Sequence, residues 1–309
     1  MASTFDELGG KTSDLRRFVH TDLKTWSAFN PSIGISDKGD LAIAIRSSNY
    51  VILEHGALSV TTSGPIKNQV WFSELNSEFE LEDLRMLDFS AAGIEVSRGV
   101  EDPKLLWRDG KWMFTGVFLE RNVPVARNCV CYPNKEMTKV EKIEVLPGID
   151  AGKPEKNWMT AYVKPENFDY IYDANAVVIG DKVIHSLRDA PGLNALRGNA
   201  HLIPYDNGTY LGIMHQLKIK RFDRVSQTTF GVMHHVHKFY THVIIRFDEN
   251  GAPIEMTNHF KFDGDGIEFA AGFIEYGDNY VISYGRDDIT SHIATIDKKK
   301  VRQLLETIK

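Results

Sequence analysis

Residues 98–107 read Arg98-Gly99-Val100-Glu101-Asp102-Pro103-Lys104-Leu105-Leu106-Trp107. Two carboxylates and two cations stand directly before an apolar run of strand type. A carboxylate fixed at a strand mouth can carry a proton to or from a reacting oxygen. Pro103 sets its own φ and biases Asp102 toward an extended backbone, which predicts Asp102 at a strand opening rather than on a loop tip. An Asp-Pro pair alone only opens a turn. What makes Asp102 the candidate catalytic residue is that its surroundings recur along the chain.

The recurring unit is a polar residue, a short apolar run, a turn, and a second apolar run. It starts at Asn30, with strands at 30–35 and 40–46 around Ser36-Asp37-Lys38-Gly39. The Asp102 copy places 103–107 and 112–118 around Arg108-Asp109-Gly110-Lys111, and the Asn157 copy places 158–163 and 168–173 around Lys164-Pro165-Glu166-Asn167. The Asn199 copy turns at 205–208 between 200–204 and 209–215; the Glu268 copy turns at 276–279 between 269–275 and 280–285. Further strand-like segments lie at 50–60, 69–74, 125–132, 176–185 and 241–248. Two inner and two outer strands per copy describe a blade. Five unequal copies predict an all-β fold, a single irregular five-bladed propeller domain spanning residues 1–309. Its ring is expected to close through Arg17-Phe18-Val19 beside 291–296. A short C-terminal helix is expected at 298–308, where Val301, Leu304, Leu305 and Ile308 share one face.

Composition bounds the partners. The 309 residues are 42% hydrophobic with a formal net charge of −6, the profile of a soluble globular protein. No general nucleic-acid binding is expected from this balance, so a nucleic acid would have to be met by a local basic surface. The polar first residues and the lack of a bilayer-length apolar run predict a cytoplasmic protein with no secretory leader and no membrane partner. Cys129 and Cys131, two apart on a strand, are poorly placed for a disulfide and are read as free thiols. His234-His235-Val236-His237 is read as a polar loop before a strand, and neither a metal site nor a cofactor is expected.

With the first strand of each blade against the axis, Asn30, Asp102, Asn157, Asn199 and Glu268 fall around one end of the channel. The five equivalents differ, one being Asp and one Glu. That points to a single asymmetric site, hence an enzyme, rather than a multivalent binder. Glu101 and Asp173 are further carboxylates there. Arg46, Arg98, Lys104, Lys156, Arg197, His201, His215, His242 and Arg286 are the candidate cations for holding an anion and a sugar. Trp158, Tyr172, Phe269 and Tyr284 are candidate ring-stacking residues, although strand aromatics more often belong to a core.

The ordered motifs Asn30-Pro31-Ser32-Ile33, Glu101-Asp102-Pro103-Lys104, Glu155-Lys156-Asn157-Trp158, Arg197-Gly198-Asn199-Ala200 and Gly266-Ile267-Glu268-Phe269 carry a resemblance over roughly residues 25–297. The chain resembles the five-bladed propeller carbohydrate-active enzymes, and is most similar to the β-mannoside phosphorylase group and related propeller glycosyltransferases. The resemblance implies Asp102 as the proton-transfer residue, and a sugar with phosphate or a phosphorylated sugar donor as substrates. The Arg of that group's Glu-Asp-Pro-Arg motif is Lys104 here, which lacks the planar fork. Propeller furanosidases, a comparison class, carry a base or nucleophile Asp where this chain has Asn30. One proton-transfer carboxylate suffices when the nucleophile arrives anionic, as phosphate does. The leading expectation is therefore inverting glycosyl transfer, as phosphorolysis or as transfer from a phosphate-activated sugar. A glycoside hydrolase pairing Asp102 with Glu268 or Asp173, and a non-catalytic glycan- or protein-binding propeller, are the alternatives. The sugar, the acceptor (free sugar, polymer or modified nucleic-acid base), the direction and the oligomeric state stay open.

Overall fold

The computed structural model describes residues 2–15, 26–52, 58–92, 98–119, 126–146, 155–185, 192–228 and 231–308. Within them the chain is nearly all β, with one short helix, Lys298–Leu304, and a single 3-10 turn. Short apolar runs cut by Gly, Asp and Asn have no room for helical periodicity and pair locally instead.

The first sheet runs Ser27–Ile35, Leu41–Ser48, Asn68–Leu75, Arg85–Met86. The second runs Glu101–Arg108, Lys111–Leu119, Ala126–Pro133, Val140–Val145. Tyr170–Asp173, Ala176–Ile179 and Lys182–His185 form the third. The fourth is built on the long pair Tyr210–Thr228 and Gly231–Phe247, and the fifth on Glu268–Tyr276, Asn279–Arg286 and Thr290–Asp297. Four of the strand-turn-strand copies thus lie in sheets of their own, the third enters its sheet only through its second strand, and no sheet closes on itself among the described residues. Lys11–Asp14 completes the fifth sheet against His292–Thr295, so the chain's start joins its last sheet. The expected closing segment at 17–19 lies outside the described residues.

Three expectations are corrected. The helix ends at Leu304 rather than at 308, because Glu306–Thr307 turns into a strand against Glu255–Met256 and Ile308 N–H donates to Ile254 O at 3.0 Å. The backbone of 234–237 is strand, not loop, because the fourth sheet's hairpin continues far past the expected strand start at 241. In the third copy 158–163 makes only isolated bridges, Met159 to Ile171 and Ala161 to Leu202, and the sheet is built from the three strands that follow.

Apolar faces pack sheet against sheet. Ile33, Ile43 and Ile45 meet Val281 and Ile293 of the fifth sheet; Val70 and Phe72 meet Leu105 and Phe114 of the second. Burying such side chains is worth about 1.5–3 kcal/mol each. The inner strands are cross-linked by hydroxyls. Ser32 Oγ donates to Ala271 O (2.9 Å) and accepts from Leu105 N–H (2.8 Å), while Ser283 Oγ donates to Pro31 O (2.6 Å) and accepts from Ile33 N–H (2.8 Å). Tyr162 OH donates to Leu105 O at 3.0 Å. These links tie the first sheet to the second and fifth, fixing the strand ends that carry Asn30 and Asp102. Cys129 and Cys131 are buried free thiols with sulfurs 4.0 Å apart.

Candidate active site

Asn30, Asp102 and Asn157, three of the five residues that open the repeats, have left-handed backbone, with φ of +50°, +48° and +66°. The pairing register slips at the same places: between Phe29 and Ser32, and between Thr115 and Val117 opposite 101–104. Asp102 is therefore not extended, as the following proline predicts. It sits in a β-bulge, whose extra residue turns a side chain out of the ladder, and Asp and Asn tolerate the left-handed region better than other side chains. Gly285 lets this happen: a Cβ there would lie 2.2 Å from Asn30 Oδ1 and 2.3 Å from Asn30 N.

The bulges aim their side chains at one another. Asn30 Nδ2 and Arg46 Nη1 both donate to Asp102 Oδ1 at 2.8 Å. Arg46 is buried, its Nε donates to Asn68 Oδ1 at 2.9 Å, and its guanidinium lies 4.9 Å from the Phe29 ring centroid. Asn68 is in turn held by the Arg98 carbonyl, through its N–H at 2.7 Å and its Nδ2 at 2.9 Å, while the Arg98 side chain is exposed. Glu101 takes Lys156 Nζ at 2.8 Å and Arg46 Nη2 at 3.7 Å. Burial opposes ionisation of Asp102, but Arg46, Lys156 and the hydrogen bonds from Asn30 and Arg46 outweigh it and hold the carboxyl below the usual carboxylate range. The same balance keeps Arg46 charged: desolvation works against it, and Asp102 and Glu101 prevail.

A third carboxylate, Asp288, stands here outside the five repeat openings. Asp288 Oδ2 accepts from Tyr50 OH at 2.6 Å, and its pKa is raised, by burial first, against the field of Arg46 and with that of Asp102 and Glu101. Asp287 and Asp288 both have left-handed φ, of 53° and 54°, in the turn after the fifth sheet's second strand. An Asp-Asp pair directly after Gly285-Arg286 was the available signal.

Other expected site residues are placed differently. Lys104 is 4% exposed, and its Nζ donates to Trp158 O at 2.9 Å, so it ties the second sheet's inner strand to the 158–163 segment. His201 Nε2–H donates to Lys104 O at 2.6 Å and His242 Nε2–H to Glu268 O at 2.8 Å; burial pushes both imidazoles down to about 3, so both are neutral. His215 Nδ1 hydrogen-bonds Asn199 Oδ1, stacks on Tyr240 at 4.5 Å, and is likewise pushed well down, by burial first. Glu268 is fully buried with both oxygens on backbone, accepting from Phe262 N–H (2.9 Å) and Asp263 N–H (2.7 Å). Asp173 Oδ1 accepts from Asn175 N–H at 2.8 Å in its own turn. Arg197 donates to Asn194 O and Leu196 O, and Arg286 pairs with Asp287 at 3.6 Å. The described hydrogen bonds of Glu268 and Asp173 are thus to backbone N–H groups of their own surroundings. Of the aromatic candidates, Phe269 and Tyr284 are buried, Tyr284 stacking on Phe262 at 4.2 Å, and Trp158 is buried against Tyr172. Among the described residues, Asn30 Oδ1, Asn157 Oδ1 and Asn199 Nδ2 are buried atoms without a protein partner. No cluster of three metal-ligating side chains occurs among the described residues, and no helix is long and apolar enough to cross a membrane.

Burial holds the Glu268 carboxyl up at about 7, against an ordinary 4.5. Between those values the folded chain binds a proton that the unfolded chain has released. Glu268 therefore contributes stability below about pH 4.5 that is lost as pH rises to about 7, on the order of 3 kcal/mol. Melting temperatures measured from pH 4.5 to 7.5 should show this loss in the parent relative to Glu268→Gln. Parallel curves for the two proteins would show that Glu268 titrates normally.

The fold is similar to that of several solved proteins of carbohydrate chemistry. Beta-1,2-mannobiose phosphorylase of Listeria innocua superposes with a TM-score of 0.59 at 13% identity, covering 93% of this chain and 95% of that one. A glycosyl hydrolase of Bacteroides ovatus gives 0.57 at 14% identity, covering 88% and 84%. A GDP-Man-dependent mannosyltransferase of Leishmania mexicana gives 0.52 at 12% identity, covering 93% and 89%. No protein-family model and no curated protein sequence matches the chain. At these identities the likeness is one of fold.

Proposed function

We propose that this protein is an inverting glycosyl-transfer enzyme, built as one five-bladed propeller domain, in which Asp102 moves the proton. The observation that carries the reading is the ionised Asp102, held by Asn30 and Arg46 at the point where the inner strands of the first and second sheets bulge. A carboxylate kept charged is a base. The supported direction is transfer: Asp102 removes the proton of an acceptor hydroxyl as that oxygen bonds to the anomeric carbon. The bond to the phosphate leaving group breaks with its electron pair going to the phosphate oxygen, and the configuration inverts. Phosphorolysis is the same path reversed, with a protonated Asp102 serving the glycosidic oxygen.

The remaining roles follow from exposure and chemistry. Lys156, Arg98 and Arg197, which are exposed, and the half-buried Arg286 offer cationic side chains for the leaving phosphate, a duty the buried Lys104 cannot take. Asn30, Asn157 and Asn199 offer their unpaired polar atoms to sugar hydroxyls, and Asp288 offers a carboxylate acceptor. Because Arg46, Lys156 and the hydrogen bonds from Asn30 and Arg46 hold the Asp102 carboxyl below the usual carboxylate range, transfer should stay active into acid and fall only as pH drops through that lowered pKa.

One observation favours a second reading. Asp102 and Asp288 are carboxylates pushed in opposite directions, the signature of an acid and base pair, and a hydrolase needs such a pair. The two readings separate in one assay. The protein is incubated with α-sugar 1-phosphates and nucleotide sugars, mannosyl donors first because two structural neighbours handle mannose. Separate samples hold glycosides with and without phosphate, and products are followed by proton NMR.

A further inference from the structure

The hairpin of the fourth sheet is about twice as long as those of the first, second and fifth. Its strands, Tyr210–Thr228 and Gly231–Phe247, hold 19 and 17 residues, where the inner hairpins of the first, second and fifth sheets use eight or nine and the third sheet four. Beyond Gln216 and Thr241 its two strands run as a pair from Leu217↔Tyr240 out to Thr228↔Gly231, with Tyr240 N–H donating to Gly266 O at 3.0 Å at the root. Twelve residues of strand reach about 40 Å. This arm is charged against the rest of the molecule. Residues 217–240 hold five Lys or Arg (Lys218, Lys220, Arg221, Arg224, Lys238) and one acid, Asp223, with three histidines. The arm is formally +4, which leaves −10 on the remainder of a −6 chain. Phe222, Phe230, Phe239 and Tyr240 are interleaved with these cations.

Its root joins the candidate site. Alternation puts Leu217, Ile219, Lys238 and Tyr240 on the face shared with His215, and Tyr240 stacks on His215, which bonds Asn199. Leu217 and Ile219 are 46% and 56% exposed there. On the other face Lys218, Lys220 and Phe239 line a cavity of about 780 Å³ with Lys261, Thr241 and His259. Asp265 is the acid on that side, taking Lys261 Nζ at 2.5 Å and, through its carbonyl, His237 Nε2–H at 2.7 Å.

We infer that this arm is a docking surface for duplex DNA, laid beside the mouth of the candidate site. A two-stranded β-ribbon is one of the few protein shapes that enters the major groove. Lys218, Lys220 and Lys238 are exposed along the ribbon, where their ammonium groups can meet backbone phosphates. The acidic body would repel the same polyanion, so binding is confined to the arm. The overall charge of −6 therefore hides a local basic surface rather than excluding one. The inference concerns binding and stands apart from the glycosyl-transfer reading.

The test uses the full chain and a fluorescent 30-base-pair DNA duplex, followed by anisotropy at 50 and 200 mM salt. Binding is expected at 50 mM, weakened about 10²-fold at 200 mM if about four phosphates are neutralised. Lys218→Glu/Lys220→Glu/Lys238→Glu should lose it, and the milder Lys→Gln triple should weaken it and flatten the salt slope, with thermal melts checking that both fold. Asp102→Asn should bind DNA like the parent, which separates this inference from the catalytic one. No binding at 50 mM, equal binding by the charge-reversed variant, or equal competition by vesicles of anionic lipid would each overturn it.

Discussion

Asp102→Asn is expected to lower turnover by about 10² to 10⁴ while the protein keeps its fold and its sugar affinity. Asn is nearly isosteric with Asp, and its side-chain oxygen can still accept from Asn30 Nδ2 and Arg46 Nη1, the two 2.8 Å contacts that position the group. What it loses is the ability to take a proton. The loss should appear in kcat, with KM little changed, because the interaction removed is one made in the transition state. Asn30→Asp makes the complementary control. It adds a carboxylate beside Asp102, where like charges should raise the Asp102 pKa without abolishing the base. Near-native turnover in Asp102→Asn would reduce Asp102 to a turn residue and transfer attention to Asp288.

Arg46→Met is expected to cost about 3 to 5 kcal/mol of stability, a drop on the order of 10 °C in melting temperature, because it strands a buried carboxylate. Asp102 would then lose its largest favourable charge partner and its pKa should rise. The double variant Arg46→Met/Asp102→Asn removes the charge that the single variant leaves unpaired, so it should melt above Arg46→Met alone, a coupling readable by thermal denaturation. Equal melting of Arg46→Met and the parent would mean that Asp102 is not buried as a charge.

Much of this arrangement was legible in the sequence, for reasons that can be named. The five copies announce themselves because turn residues recur at fixed places between apolar runs, and hairpins are local structures. Asn30 and Asp102, 72 positions apart, could be placed together because both open such a copy. The backbone of Asp102 was not legible. The rule that a residue before proline is extended is a local steric tendency, and a bulge fixed by pairing with the neighbouring strand overrides it. Glu268 was placed in the pocket because it opens the fifth copy, and Lys104 because it stands where the resembled motif has Arg. Only the packed structure shows that the Lys104 Nζ closes on Trp158 O and the Glu268 carboxyl on the backbone of 262–263. Asp288 was missed because the repeat was read as ending at Gly285, although the turn beyond it carries two adjacent acids. The long ribbon was missed because its outer strand halves mix cations and apolar residues without clean alternation, and only strand pairing extends them.

Single-displacement transfer at an activated sugar, with Asp102 as base, is tested most directly by the stereochemistry of the product. Proton NMR of the parent protein with an α-configured sugar 1-phosphate or nucleotide sugar and an acceptor should show a β-glycoside and released phosphate or nucleotide, and no such product with Asp102→Asn. A retained α configuration, or free sugar released from glycosides at the same rate with and without phosphate, would contradict it.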